Sequence, residues 1–310
     1  MEPIREYFLE LQRYNKDLSD RMSLNQQLRI AQYVNSSFKG STPFLGELET
    51  NGVLTVKNAI DPNIIIKIKD KVEYFIQNQI NLNPIRKLNN NYLVAAEQSK
   101  PEYWDDLTDL EKKTPTVSIK DPLLTIEELL PVVFNDNIIS KVTSYFKTIP
   151  IVTFVKIVKH FPNQIISSVN DWHFDGPPKY LGSPKMIKAI YYLDNIQTHD
   201  EGPYCYIKGS HNDRLDYDQN TFSGDEINNY YGNNSIGEAF GNIGDAVIAK
   251  GEVLHKGQKP TNKSRTLIII NYCIHDESLN RKSSKKVKIY KKDINKLQFP
   301  ELTNNMQIIN

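Results

Sequence analysis

Cysteine is nearly missing from this sequence: two residues, Cys205 and Cys273, lie far apart in 310 and form no CxxC pair. That usage suits a reducing compartment, and the cytoplasm is the expected location. Long apolar runs are missing too. No segment approaches the roughly 18 apolar residues of a membrane span. The opening MEPIREYFLELQRYNKDL carries acids inside its apolar stretch, so it does not read as a signal peptide. Neither sign of charge is in surplus: 38 Lys plus Arg stand against 37 Asp plus Glu, a formal +1. The balance argues against nucleic acid as a partner. There is no visible repeat, and histidine is scarce, with six residues.

What is present is the composition of an ordinary globular chain, 39% hydrophobic and 24% charged, able to bury a substantial core. Ile4, Phe8, Leu11 and Tyr14 recur at helical spacing, so residues 3–16 are expected to be helical, and a second helix is expected at 24–35. NGVLTVKNAI reads as a strand opened by a turn. DPNIIIKIKDKVEYFIQ reads as a helix with Asp61 as its cap and Pro62 at its first position. In TIEELLPVVF, Thr125 and Glu128 have capping-box spacing, and Pro131 is expected to end or kink that helix.

The texture changes near residue 149. IPIVTFVKIVKHF, PKMIKAIYYLDN, GPYCYIKGSH, IGDAVIAKGEVLH and SRTLIIINYCI are β-rich runs broken by Gly, Pro, Asn or Asp. Helices first and strands afterwards argue against parallel α/β alternation and for a mainly β jelly roll or sandwich with flanking helices. The expected organisation is one domain: a helical region over 1–148, a β core over 149–276 and an extension over 277–310. Residues 81–120 and 220–242 resist assignment, and both are candidate loops over a site.

DWHFDG carries the chemistry. Side chains alternate along a strand, so His173 and Asp175 project from one face while Phe174 points the other way. A third ligand must come from elsewhere, and GEVLHKGQKPTNKSR supplies His255 at the end of another expected strand. Two imidazoles and one carboxylate form the facial triad of non-haem iron oxygenases, with positions left for cosubstrate and dioxygen. Zinc hydrolases use the same ligand set, so the triad alone leaves the metal open. Arg265 follows His255 by ten residues, where the next antiparallel strand would return beside it. Its guanidinium could hold a carboxylate in a two-point fork.

DWHFDG, EGPYCYIKGSH, GNIGDAVI and LHKGQKPTNKSR together resemble the phytanoyl-CoA dioxygenase family of iron(II)- and 2-oxoglutarate-dependent oxygenases. LETNGVLTVKNAIDPNIIIKIKDKV is similar to that family's first strand and helix, so the resemblance spans residues 46–275. It implies a double-stranded β-helix (a cupin-like jelly roll) with N-terminal helices. It further implies His173, Asp175 and His255 as catalytic iron ligands and Arg265 as the 2-oxoglutarate anchor. Iron(II), 2-oxoglutarate and dioxygen would be the cofactors, with ascorbate as an assay aid. The implied reaction hydroxylates or otherwise oxidises a C–H bond of a small molecule, releasing succinate and carbon dioxide. Lys208 stands where the family often has proline, which leaves the chemistry untouched. A jelly-roll binding module without turnover is the alternative from another class, and it has no need of a full triad with Arg265.

Other residues have plainer readings. Trp172 is expected in the core or pocket wall, and His211 to brace a turn. His160, His199 and His275 are expected to be surface or structural residues. RKSSKKVKIYKK reads as a solvated charge run. Lys156, Lys159 and Lys188 sit inside apolar strand patterns, which is unusual for lysine. Most such lysines face outward, but one facing the cavity could meet a carboxylate of 2-oxoglutarate or of the substrate.

Overall fold

The computed structural model describes residues 46–83, 107–146, 150–163, 170–175, 186–212, 221–273, 286–297, 300–304 and 306–310. The helices expected at 3–16 and 24–35 lie outside the described residues, as does His275.

Two antiparallel sheets face each other. The larger has the order β1 (Val53–Val56), β9 (Ala246–Lys250), β5 (Met186–Tyr192), β11 (Arg265–Cys273), β3 (Ile151–His160) and β2 (Thr116–Ser118). The smaller has the order β7 (Thr221–Phe222), β4 (Trp172–His173), β10 (His255–Gly257), β6 (Tyr204–Ile207) and β8 (Ile236–Ala239). From β3 to β6, and again from β8 to β11, each strand lies in the opposite sheet from the one before. That crossing makes a double-stranded β-helix, the mainly β fold with flanking helices expected above. A short parallel pair, β12 (Lys288–Tyr290) with β13 (Gln307–Ile309), lies apart from both sheets.

Strand alternation explains the layering. On β5, Ile187, Ala189 and Tyr191 join the core beneath the helices, while Ile190 and Tyr192 pack between the sheets. Helix α1 (Pro62–Gln77) covers the outer face with Ile65, Ile68, Val72 and Ile76. Each such side chain contributes roughly 1.5–3 kcal/mol by leaving water. Its start is as expected: the Asp61 carboxylate accepts from Asn63 N–H at 2.9 Å, and Pro62 opens the first turn. Helix α2 (Asp136–Phe146) completes this layer with Ile138, Ile139, Val142 and Phe146. Among the described residues, no helix is long and apolar enough to cross a membrane.

Three local expectations fail. Thr125 ends a helical turn, its hydroxyl donating to Pro122 O at 3.2 Å, and Glu128 reaches across to Lys71 at 2.6 Å, so no capping box forms. Pro131 lies in the first turn of Leu130–Val133, where its missing N–H costs nothing, and so begins a turn where a helix end or kink was expected. Residues 221–242 are not a loop. They contain β7, a helix α3 (Gly224–Tyr231) and β8, which pairs with β6 over Tyr204–Ile207. Asn and Gly masked a capping box at Ser223 and Glu226.

Candidate metal centre

The site forms where the smaller sheet brings β4 and β10 together. His173 and His255 are direct partners in that antiparallel pair, with ring centroids 4.4 Å apart. Asp175 follows β4, and its Oδ2 lies 3.5 Å from His255 Nε2. The candidate donor atoms of His173, Asp175 and His255 all lie within 4.8 Å of one another. Sequence spacing placed His173 and Asp175 on one face, and strand register brings His255 to them from 80 residues away.

Both histidines are fixed in the same tautomer. His173 Nδ1 lies 2.7 Å from Asp171 O, and His255 Nδ1 lies 2.8 Å from Val253 O. A carbonyl only accepts, so each Nδ1 must carry the hydrogen, leaving the Nε2 lone pair as the ligand. Burial, and then the Lys188 ammonium, hold the His255 pKa down at about 3, so this imidazole stays neutral and able to bind a metal. For Asp175, burial works toward a higher pKa. Lys188 and the two histidines outweigh it and bring the carboxyl to about 2. Asp175 Oδ2 is ion-paired with Lys188 but accepts no well-formed hydrogen bond. Two imidazole lone pairs and a carboxylate oxygen, the His255 and Asp175 atoms both held by the Lys188 ammonium, are a donor set that suits a divalent cation with N and O ligands.

Arg265 opens β11, on the other sheet. It is 1% exposed, and its Nε has no hydrogen-bond partner. Burial lowers its pKa from 12.5 to about 10, although Tyr192, Cys205 and Asp194 work the other way. The nearby acid is already committed: Asp194 binds Lys69 at 2.6 Å and accepts from Thr266 N–H at 2.7 Å. Gly202 makes room for the guanidinium. Its φ is +79°, and a Cβ there would lie 2.7 Å from Gln258 O and 3.1 Å from Arg265 Nη1. A buried guanidinium with no carboxylate partner among the described residues could accept an anion in a two-point fork.

Several neighbours were not assigned to the site by sequence. His160 pairs with Arg265 across β3 and β11 and is buried; burial, then Arg265 and two lysines, push its pKa well below the usual value. Tyr204 stacks on His255, with centroids 5.0 Å apart, and its buried hydroxyl has no hydrogen-bond partner. Lys188 reaches Asp175 and His255, whereas Lys159 turns to the helices and pairs with Glu73 at 2.7 Å. His211 Nε2 meets Glu49 O at 2.9 Å, bracing a turn as expected. Trp172 is buried beneath Lys256. A second trio, His199, Cys205 and Glu238, also lies within 4.8 Å. There, His199 is already hydrogen-bonded to Glu238, and burial raises the Cys205 thiol to about 12.

On this jelly-roll fold, two imidazoles and a carboxylate thus come within reach of one cation, and a buried guanidinium opens a strand of the facing sheet. The family model for phytanoyl-CoA dioxygenase matches residues 48–267, and the chain belongs to that family. It is an iron- and 2-oxoglutarate-dependent oxygenase. Solved structures share its fold. The carbocyclase SnoK from nogalamycin biosynthesis matches with TM-score 0.54 and 14% identity, over 77% of this chain and 85% of its own. The epimerase SnoN, in complex with Fe3+, alpha-ketoglutarate and nogalamycin RO, matches with TM-score 0.51 and 12% identity, over 74% and 81%. AviO1 from Streptomyces viridochromogenes Tue57 matches with TM-score 0.50 and 14% identity, over 73% and 91%. Comparison with curated proteins gave no match.

Proposed function

We propose that the protein hydroxylates, or otherwise oxidises, a C–H bond of a small-molecule substrate, with His173, Asp175 and His255 holding iron(II) and Arg265 anchoring 2-oxoglutarate. One observation carries this reading: a tautomer-fixed metal cradle accompanied by a buried arginine that has no carboxylate of its own. Bound iron(II) and 2-oxoglutarate would supply the means of activating dioxygen, which is the oxidant. In the overall reaction, substrate R–H, 2-oxoglutarate and dioxygen give R–OH, succinate and carbon dioxide.

The chain's own groups set the geometry. Asp171 O and Val253 O aim the two Nε2 atoms, while Arg265 receives the far carboxylate and so fixes which end of the cosubstrate faces the metal. The division into a helical region 1–148, a catalytic core 149–276 and an extension 277–310 belongs to the same proposal. SnoN is an epimerase and SnoK a carbocyclase, so outcomes other than hydroxylation are within reach of this fold. A zinc hydrolase would leave Arg265 without a purpose. The deciding experiment is conversion of 2-oxoglutarate to succinate under air with added iron(II) and ascorbate. No succinate above an Asp175→Ala control would refute the reading.

A further inference from the structure

Lys188 is the one ammonium among the described residues that touches the metal ligands. Its Nζ is ion-paired with Asp175 and lies 3.1 Å from His255 Nε2, and its side chain is 13% exposed. It projects between the sheets, because its cross-strand partner Ala249 packs there. Its partner on the other side, Asn271, has a buried amide oxygen that accepts no hydrogen bond. Lys188 therefore rests on two of the three groups that a metal would claim.

A divalent ion taking Asp175 and His255 would strip the ammonium of both partners and set it beside a like charge, in a site with little access to water. Such a cation needs an anion. The charge balance of the loaded site shows where that anion must come from. Arg265 and the distal carboxylate of 2-oxoglutarate cancel each other. The metal's two charges are met by Asp175 and the cosubstrate's near carboxylate. Lys188 is left over. Resting on the oxygenase reading above, we propose that Lys188 recognises an anionic group of the primary substrate, a carboxylate or similar oxyanion, and that metal loading frees it to do so. The substrate class is then small-molecule acids.

The test is a set of calorimetric titrations, without dioxygen, on the native chain, Lys188→Met and Lys188→Gln. Each chain receives Ni(II), then 2-oxoglutarate, then acetate as the simplest carboxylate, with acetamide as the neutral control. Without cosubstrate, both variants should bind Ni(II) about tenfold more tightly than the native chain, since a charged contact no longer competes. Their 2-oxoglutarate affinity should match the native value. Acetate should bind the native Ni(II)/2-oxoglutarate complex, acetamide should not, and both variants should weaken acetate about tenfold or more. An equal acetate response in all three chains places acetate on the metal and overturns the proposal, as does no native response. A fall in 2-oxoglutarate affinity assigns Lys188 to the cosubstrate, and the substrate-class inference fails. If the native chain does not bind Ni(II) and 2-oxoglutarate together, the oxygenase site itself is misread and this inference falls with it.

Discussion

Replacing Arg265 by methionine should leave the metal-free protein no less stable, while nearly abolishing its use of 2-oxoglutarate. Arg265 is 1% exposed, and the nearby acid, Asp194, is committed to Lys69 and Thr266. A pKa brought down from the ordinary arginine value to about 10 corresponds to roughly 3–4 kcal/mol held against the charged form, at ~1.4 kcal/mol for each pH unit. Methionine fills much of the same volume without that cost, so the melting temperature should hold or rise by a few degrees. Cosubstrate binding should move the other way. Two charged hydrogen bonds of ~1.5–3 kcal/mol each imply a loss of roughly a hundredfold or more in 2-oxoglutarate affinity. Lysine should restore only part of it, having no two-point fork. Thermal unfolding of the metal-free chain and anaerobic 2-oxoglutarate titration of the metal-loaded chain read the two effects separately. A variant that melts many degrees lower yet binds 2-oxoglutarate normally would show Arg265 to be a structural cation and refute the reasoning.

Alanine at His173, Asp175 or His255 should reduce metal content per chain and abolish succinate release, measured by elemental analysis beside turnover; full content in all three variants would mean the ligands are misassigned. The metal-free chain should lose stability as pH falls below about 6.5. Burial, then Arg265 and two lysines, hold the pKa of His160 well below the ordinary histidine value of 6.5 in the folded chain, so the unfolded chain takes up a proton that the native one refuses. Its contribution is complete above 6.5 and declines below it, and His160→Gln should flatten that part of a denaturation-against-pH curve. Amides of Ile236–Ala239, paired along β6, should exchange slowly with and without substrate; fast exchange that slows only on binding would restore the flap expected from sequence. Product mass under labelled dioxygen should show oxygen gain. Asp175 fills a coordination position that a halide would need, so a chlorinated product in chloride buffer would contradict its assignment as a ligand.

The order of elements was legible because the β-rich runs after residue 149 are bounded by turn residues, and α1 announced itself with an N-cap, a proline and four buried positions at helical spacing. What misled lay where local chemistry is ambiguous. Asn and Gly in 221–242 resemble loop composition, yet Ile227 is buried and β8 needs only four residues on the rim of a sheet to pair. Thr125 and Glu128 had the right spacing for a cap, but a threonine hydroxyl also bonds back to a carbonyl one turn earlier, and Glu128 found a lysine on α1.

The candidate metal ligands were legible for a different reason: alternation predicts His173 beside Asp175, and the two stay together although Asp175 lies just past the end of β4. Parity also separates two of the lysines. Lys156 and Lys159 lie an odd number of positions apart on β3, so one must face the helices, and Lys159 does, meeting Glu73. Lys156 shares the parity of Val158, which packs between the sheets. For Lys188 the same rule is silent. Ile187, Ala189, Ile190, Tyr191 and Tyr192 are buried on both faces of β5, so no polar face marks the outside and the apolar run fits either orientation. The pairing with Ala249, and the parity shared with Ile190 and Tyr192 between the sheets, fix which way Lys188 points. Because an ammonium gains nothing from an apolar interior, its inward position has to be explained by the groups it meets there: Asp175 and His255 in the metal-free chain, and an incoming anion once a metal has claimed them.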